Sequence, residues 1–147
     1  MFESENEKFT YLYLCYNSFE GYFMKPGKTE LRLNAEIEKR GALFAVLLDP
    51  DSSDDSALLK SGTLAAENGA DVILVGGSFL GHFSLARQVA ALKSGLELPV
   101  ILFPGNASQF TPKVDALMYL SLISGRNPDY LIGQHVLSSI SIKKSGL

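Results

Sequence analysis

Residues 71–106 run DVILVGGSFLGHFSLARQVAALKSGLELPVILFPGN. Residues 72–75 and 99–103 are short continuous apolar runs, the pattern of strands buried on both faces. Between them Leu80, Phe83, Ala86, Val89, Ala90 and Leu92 recur at helical spacing, which predicts a helix over 79–93, with Gly95 closing it. Strand, helix, strand is a crossover unit, and it implies a parallel sheet. Each apolar run stops at small or polar residues, Gly76-Gly77-Ser78 and Pro104-Gly105-Asn106. In α/β architectures the carboxyl ends of parallel strands are where chemistry is done.

The alternation extends outward in both directions. Residues 29–39 predict a helix with Thr29 as N-cap and Gly41 just past its end. Residues 43–48 predict a strand buried on both faces that ends in Asp49-Pro50-Asp51. A helix follows from Asp54 or Asp55 to Asn68, with Gly69 ending it. Downstream come a loop or helical turn over 108–113, a strand over 116–120 and a helix from Asp129 or Tyr130 to Lys143. The strand over 116–120 runs into SLISGRNP, residues 121–128. Two parallel α/β arrangements stay open. One is an open, doubly wound sheet. The other is a parallel (β/α) barrel of TIM type, which takes about 250 residues when complete, so that residues 41–147 supply about its first four βα units.

Composition bounds the function. The 147 residues are 46% hydrophobic and 20% charged, as in soluble globular proteins, and suffice for one ordinary domain. The net charge of -3 argues against a nucleic-acid surface, which needs clustered Lys and Arg. Cys15 is the single cysteine, so no internal disulfide forms and a reducing cytoplasm is the expected location. The first eight residues are acidic where a secretory signal would be basic, and no apolar run reaches the roughly 18 residues of a membrane span. Residues 1–29 form an aromatic-rich extension ahead of the domain proper at 30–147. In it Phe9, Tyr11, Tyr13 and Cys15 alternate with strand period, and Asn17-Ser18 or Gly21 offer a hairpin turn; a helix is the other reading.

The strand ends carry the candidate chemistry. Asp49, Asp51, Asp54 and Asp55 crowd one turn, where like charges repel unless a cation lies near. Asp49 directly follows a buried strand, so its side chain can enter a cleft, and Pro50 stiffens the turn. A carboxylate so placed suits Mg²⁺, which is held by one or two carboxylates together with substrate phosphates. Asp54 and Asp55 read as helix caps. Gly76 and Gly77 let a ligand approach the backbone, and Ser78 stands at a helix start. Pro104, Gly105 and Asn106 are a turn by composition. Ser121, Ser124, Arg126 and Asn127 lie beyond the fourth strand; Arg126 can meet a phosphate or simply be solvated. His82 and His135 have no second ligand nearby, so a zinc site is not expected, and no Ser-His-Asp arrangement is legible.

Taken together LLDPD, ADVILVGGS, LPVILFPGN, DALMYLSLISGRNP and YLIGQHV resemble the geranylgeranylglyceryl phosphate synthase family, which includes the heptaprenylglyceryl phosphate synthases. The resemblance covers about residues 41–147. It implies a (β/α) barrel prenyltransferase that uses Mg²⁺ to join a polyprenyl diphosphate to sn-glycerol 1-phosphate, releasing diphosphate. By motif, the family's metal positions fall on Asp49 and Ser78, with Gly76, Gly77, Pro104, Gly105 and Asn106 shaping the substrate cleft. Two departures stand out. Ser52 occupies a position that is commonly lysine, and the later motifs that grip glycerol phosphate have no counterpart in the sequence. A half-barrel would leave apolar edges uncovered, a surface for self-association. The competing reading is a non-catalytic, receiver-like signalling module. That fold needs an aspartate at the end of its third strand, where this sequence has Pro104-Gly105.

Overall fold

The structure is a computed structural model that describes residues 26–51, 54–77, 84–118, 120–122 and 124–147. The expected hairpin within residues 1–25 and the candidate residues Ser78 and His82 lie outside the described residues. Helix α1 (Lys28–Arg40) leads into β1 (Ala45–Leu48), α2 (Asp55–Glu67), β2 (Val72–Val75), α3 (Leu85–Gly95), β3 (Val100–Leu102), β4 (Ala116–Leu117) and α4 (Gly133–Ser145). Single 3-10 turns at Ala107–Gln109 and Pro128–Tyr130 flank β4. The fourth strand is shorter than its apolar run, because only Ala116 and Leu117 pair with β3, opposite Ile101 and Leu102.

All pairings are parallel, and the strands lie in the order β1-β2-β3-β4. This order answers the question the periodicity left open. Doubly wound sheets reverse direction at a switch point, as in the flavodoxin-like order 2-1-3-4-5, which receiver domains share. A sequential order with crossovers of one hand instead places the connecting helices on one face, as in a barrel wall. The register puts Val46, Ile73 and Val100 in one row and Leu48, Val75, Leu102 and Leu117 in the next. Leu58, Val89 and Leu92 of α2 and α3 pack on these rows to form the core. Gly62 and Gly95 let the helices approach: an added Cβ would stand 2.9 Å from Leu96 Cδ1 and 2.7 Å from Leu59 Cδ1, respectively.

The opposite face carries Leu47, Leu74, Ile101 and Ala116 in one row. Here the expectation that β1 is buried on both faces fails, since Leu47 is 52% exposed. β1 is an edge of the four-stranded sheet, and among the described residues no helix covers that end of the row.

Helix α1 lies across the amino-terminal ends of the strands. Its start is tied by Thr29, whose hydroxyl donates to the Asp115 carbonyl at 2.8 Å, and its end by Arg40, which pairs with Asp71 at 2.5 Å. Thr29 is thus a tether and not the expected cap; Gly27 takes the N-cap position with no side-chain bond. Gly41 does close the helix, at φ 82°.

Asp71 and Asp115 do the same work one step before β2 and β4. Asp71 accepts the Phe44 N–H at 2.8 Å and donates its own N–H to the Phe44 carbonyl at 2.8 Å. Asp115 accepts the Val100 N–H at 2.9 Å and donates to the Val100 carbonyl at 2.8 Å. A cation from the helix preceding the neighbouring strand completes each latch, Arg40 on Asp71 and Lys93 on Asp115 at 2.6 Å. The unit α1-β1-α2-β2 is therefore repeated in hydrogen-bond pattern by α3-β3-β4.

The Phe44 N–H, then the Arg40 guanidinium, hold the Asp71 carboxyl below the ordinary carboxylate range. A depressed carboxylate stabilises the fold above its unfolded pKa of about 4, and the contribution is lost as pH falls through the lower folded value. Amide exchange at Phe44, followed from about pH 5 to about pH 3, should therefore accelerate beyond its intrinsic pH trend. Asp71→Asn should remove that excess; an identical profile in the variant would show the latch to be inert.

Candidate active site

The site is assembled from the carboxyl ends of β1, β2 and β3. Leu48 is buried against the core and Pro50 is fully buried, so the chain pins both neighbours of Asp49 and leaves its carboxylate outside. Asp49 Oδ1 accepts the Asp51 N–H at 3.0 Å, a tight turn closed by its own side chain. Asp54 caps α2 by accepting the Ala57 N–H at 2.8 Å, as its position implies. Asp55 meets Arg87 Nε of α3 at 2.6 Å. Arg87 is the cation that the acidic turn requires, and no sequence spacing pointed to it.

Gly76 and Gly77 have physical reasons of their own. An added Cβ on Gly76 would lie 1.8 Å from the Phe103 carbonyl oxygen, so the ends of β2 and β3 touch there. A Cβ on Gly77 would lie 2.9 Å from Asp49 Oδ1 and 3.2 Å from Oδ2. Glycine at 77 thus keeps open the space beside the carboxylate. That space, with a hard oxygen donor on one wall, fits a Mg²⁺ that takes its remaining oxygens from substrate and water. Among the described residues no three His, Cys, Asp or Glu gather into a metal-binding group.

Beside this lies an open apolar cleft at the ends of β3 and β4. Pro104, Gly105, Asn106, Phe110, Leu117 and Ile142 are among the residues that line it. Asn106 caps the Ala107–Gln109 turn, its Oδ1 accepting the Ser108 N–H at 2.9 Å. The buried Gln109 accepts the Gly105 N–H at 2.6 Å. Gln134 of α4 accepts the Ala107 N–H at 2.7 Å and so docks α4 against the turn. Tyr130 and His135 also line the cleft; His135, which has no metal-ligand neighbour by sequence, is here a wall residue. Of the residues beyond β4, Asn127 caps the Pro128–Tyr130 turn and Arg126 is exposed. Gln109 and Gln134 were not singled out from the sequence, because an amide side chain carries no sign of which backbone N–H it will satisfy, here those of Gly105 and Ala107.

The sequence profile of the PcrB family matches residues 35–146. The chain belongs to the PcrB family. It is 46% identical over 104 residues to a geranylgeranylglyceryl phosphate synthase of Chitinophaga pinensis, covering 71% of this chain and 41% of that one. A synthase of the same name from Korarchaeum cryptofilum is 40% identical over 105 residues, covering 71% and 43%. Among solved structures, the enzyme of Thermoplasma volcanium superposes with a TM-score of 0.70 at 27% identity, covering 78% of this chain and 47% of that one. The Thermoplasma acidophilum (S)-3-O-geranylgeranylglyceryl phosphate synthase, solved with sn-glycerol-1-phosphate, gives 0.70 at 26% identity, covering 82% and 48%. The PcrB-family arc described above thus spans about half the length of these relatives. Among its described residues no helix is long and apolar enough to cross a membrane.

Proposed function

We propose that this chain carries the metal and prenyl-binding half of a prenyltransferase that joins a polyprenyl diphosphate to sn-glycerol 1-phosphate. The observation that carries this reading is the pairing of an outward carboxylate, Asp49, with an apolar cleft on the same edge of the sheet. In the reaction a glycerol hydroxyl oxygen bonds to the allylic carbon, the carbon–oxygen bond to diphosphate breaks, and the hydroxyl proton is released. Mg²⁺, when bound, would neutralise charge developing on the departing diphosphate. Asp49 and Ser78 are the proposed metal-holding residues, and the space beside Gly77 is where the diphosphate oxygens would enter. The walls of the cleft, including Phe110, Leu117 and Leu120, suit a prenyl chain that must leave water. Pro104, Gly105 and Asn106 shape the entrance. No residue described here is assigned to the glycerol phosphate.

Calorimetric binding of geranylgeranyl diphosphate with and without Mg²⁺ tests the reading. Asp49→Asn keeps the shape and removes the charge, and should weaken the Mg²⁺-dependent part of binding by about 10- to 100-fold, the range typical of groups that support a metal. Unchanged Mg²⁺-dependent binding would remove Asp49 from the mechanism.

A further inference from the structure

We propose that Gln88 is a positioning residue for Asp49, an inference that rests on the metal-holding role assigned above. Gln88 sits on the buried face of α3 beside Val89 and Leu92, and all three are 0% exposed. A primary amide at such a place costs desolvation that a leucine would not, unless its polar atoms are bonded. Gln88 Nε2 donates to the Pro50 carbonyl oxygen at 2.7 Å, across 38 positions of sequence. The Pro50 carbonyl and the Asp51 N–H belong to one planar peptide unit, so holding the first fixes the direction of the second. That N–H is the donor on Asp49 Oδ1 at 3.0 Å. The bonds therefore form one line: helix α3, the peptide plane between residues 50 and 51, and the carboxylate. Arg87, one residue earlier on α3, grips the other end of the acidic turn through Asp55. Consecutive residues of one helix thus clamp both ends of the loop, and Gln88 aims the end that carries the ligand.

The expected signature is specific to the metal. In Gln88→Met the amide at Asp51 should exchange faster, and the Mg²⁺ concentration that half-saturates binding of geranylgeranyl diphosphate should rise about 10-fold, as for other groups that orient a metal ligand. The Mg²⁺-independent part of binding, measured with chelator, should not change. A folded variant with unchanged Mg²⁺ half-saturation overturns the proposal, as does an equal loss of both parts of binding, which marks a merely structural role. If Gln88→Met does not fold, Gln88→Asn, which keeps the amide but is one methylene too short, is measured the same way. Asp49→Asn is run in parallel. A shift there without one at residue 88 defeats the positioning role alone; no shift in either defeats the metal reading as well.

Discussion

Gly76→Ala is expected to destabilise the chain severely, although it adds one methyl group. The new Cβ would sit 1.8 Å from the Phe103 carbonyl oxygen and 2.6 Å from its carbon, and neither is a side-chain atom that can rotate away. Relief requires β2 and β3 to part. Those strands are held beside the clash by the Phe103 N–H on the Val75 carbonyl at 2.8 Å, and Val75 and Leu102 next to it are wholly buried. Overpacking in cores costs about 1–3 kcal/mol where side chains can shift. A backbone collision between central strands should exceed that range, out of a total stability of about 5–15 kcal/mol for an ordinary domain. Urea denaturation followed by circular dichroism reads the effect, and a midpoint equal to the parent's would show that the strand ends are not in contact.

The second large effect concerns turnover. A polypeptide of residues 1–147 is expected to bind a prenyl diphosphate in the presence of Mg²⁺ without forming prenyl ether, and to gain activity when the remaining half of a PcrB-family barrel is added. The chain spans 41% to 48% of the relatives reported above, and the proposed site assigns none of its described residues to the glycerol phosphate. Holding both reactants in line is worth about 7–11 kcal/mol of barrier, so half a site should lose many orders of magnitude in rate. The surfaces that a second half would cover are open. Among the described residues Leu47 is 52% exposed, and Leu137 and Ile140 of α4 are 72% and 67% exposed. Mixing the chain with the unmatched half of the Chitinophaga pinensis synthase should yield a one-to-one complex with measurable prenyl transfer. Robust transfer by the isolated polypeptide would refute the argument, and a homodimer that excludes the added half would assign the same surfaces to a second copy.

Much of the architecture was legible because each element buries its residues in a way its own sequence records. The aliphatic runs at 72–75 and 99–103 are continuous because side chains of both sheet faces are buried there, Val72 and Ile73 in one strand and Val100, Ile101 and Leu102 in the next. Asp54 announced the start of α2 because capping is a local bond within one turn. Asp49 was legible as the end of an apolar run, and the motif set was specific enough to place the chain in its family. The candidate at Thr29 misled because a hydroxyl beside a helix start can bond either its own helix or a distant carbonyl, and spacing cannot tell which. The length of β4 was overread for the same kind of reason: apolar residues at 118 and 120 are as compatible with a cleft wall as with a strand.

The sequence by itself determined the alternation of strands and helices, the polar strand ends and the family, since all of these are written in contiguous residues. Only the tertiary structure decided the sequential strand order, which separates an arc of a barrel from a doubly wound sheet, because both orders bury identical strands. It alone showed that Gly76 answers to Phe103 and Gly77 to Asp49, that Asp71 and Asp115 latch neighbouring strands, and that Gln88 reaches Pro50. Each of these joins residues 15 to 38 positions apart. Contacts at that range leave no period or spacing, because the chain between the partners is free to vary as long as the fold returns them to one another.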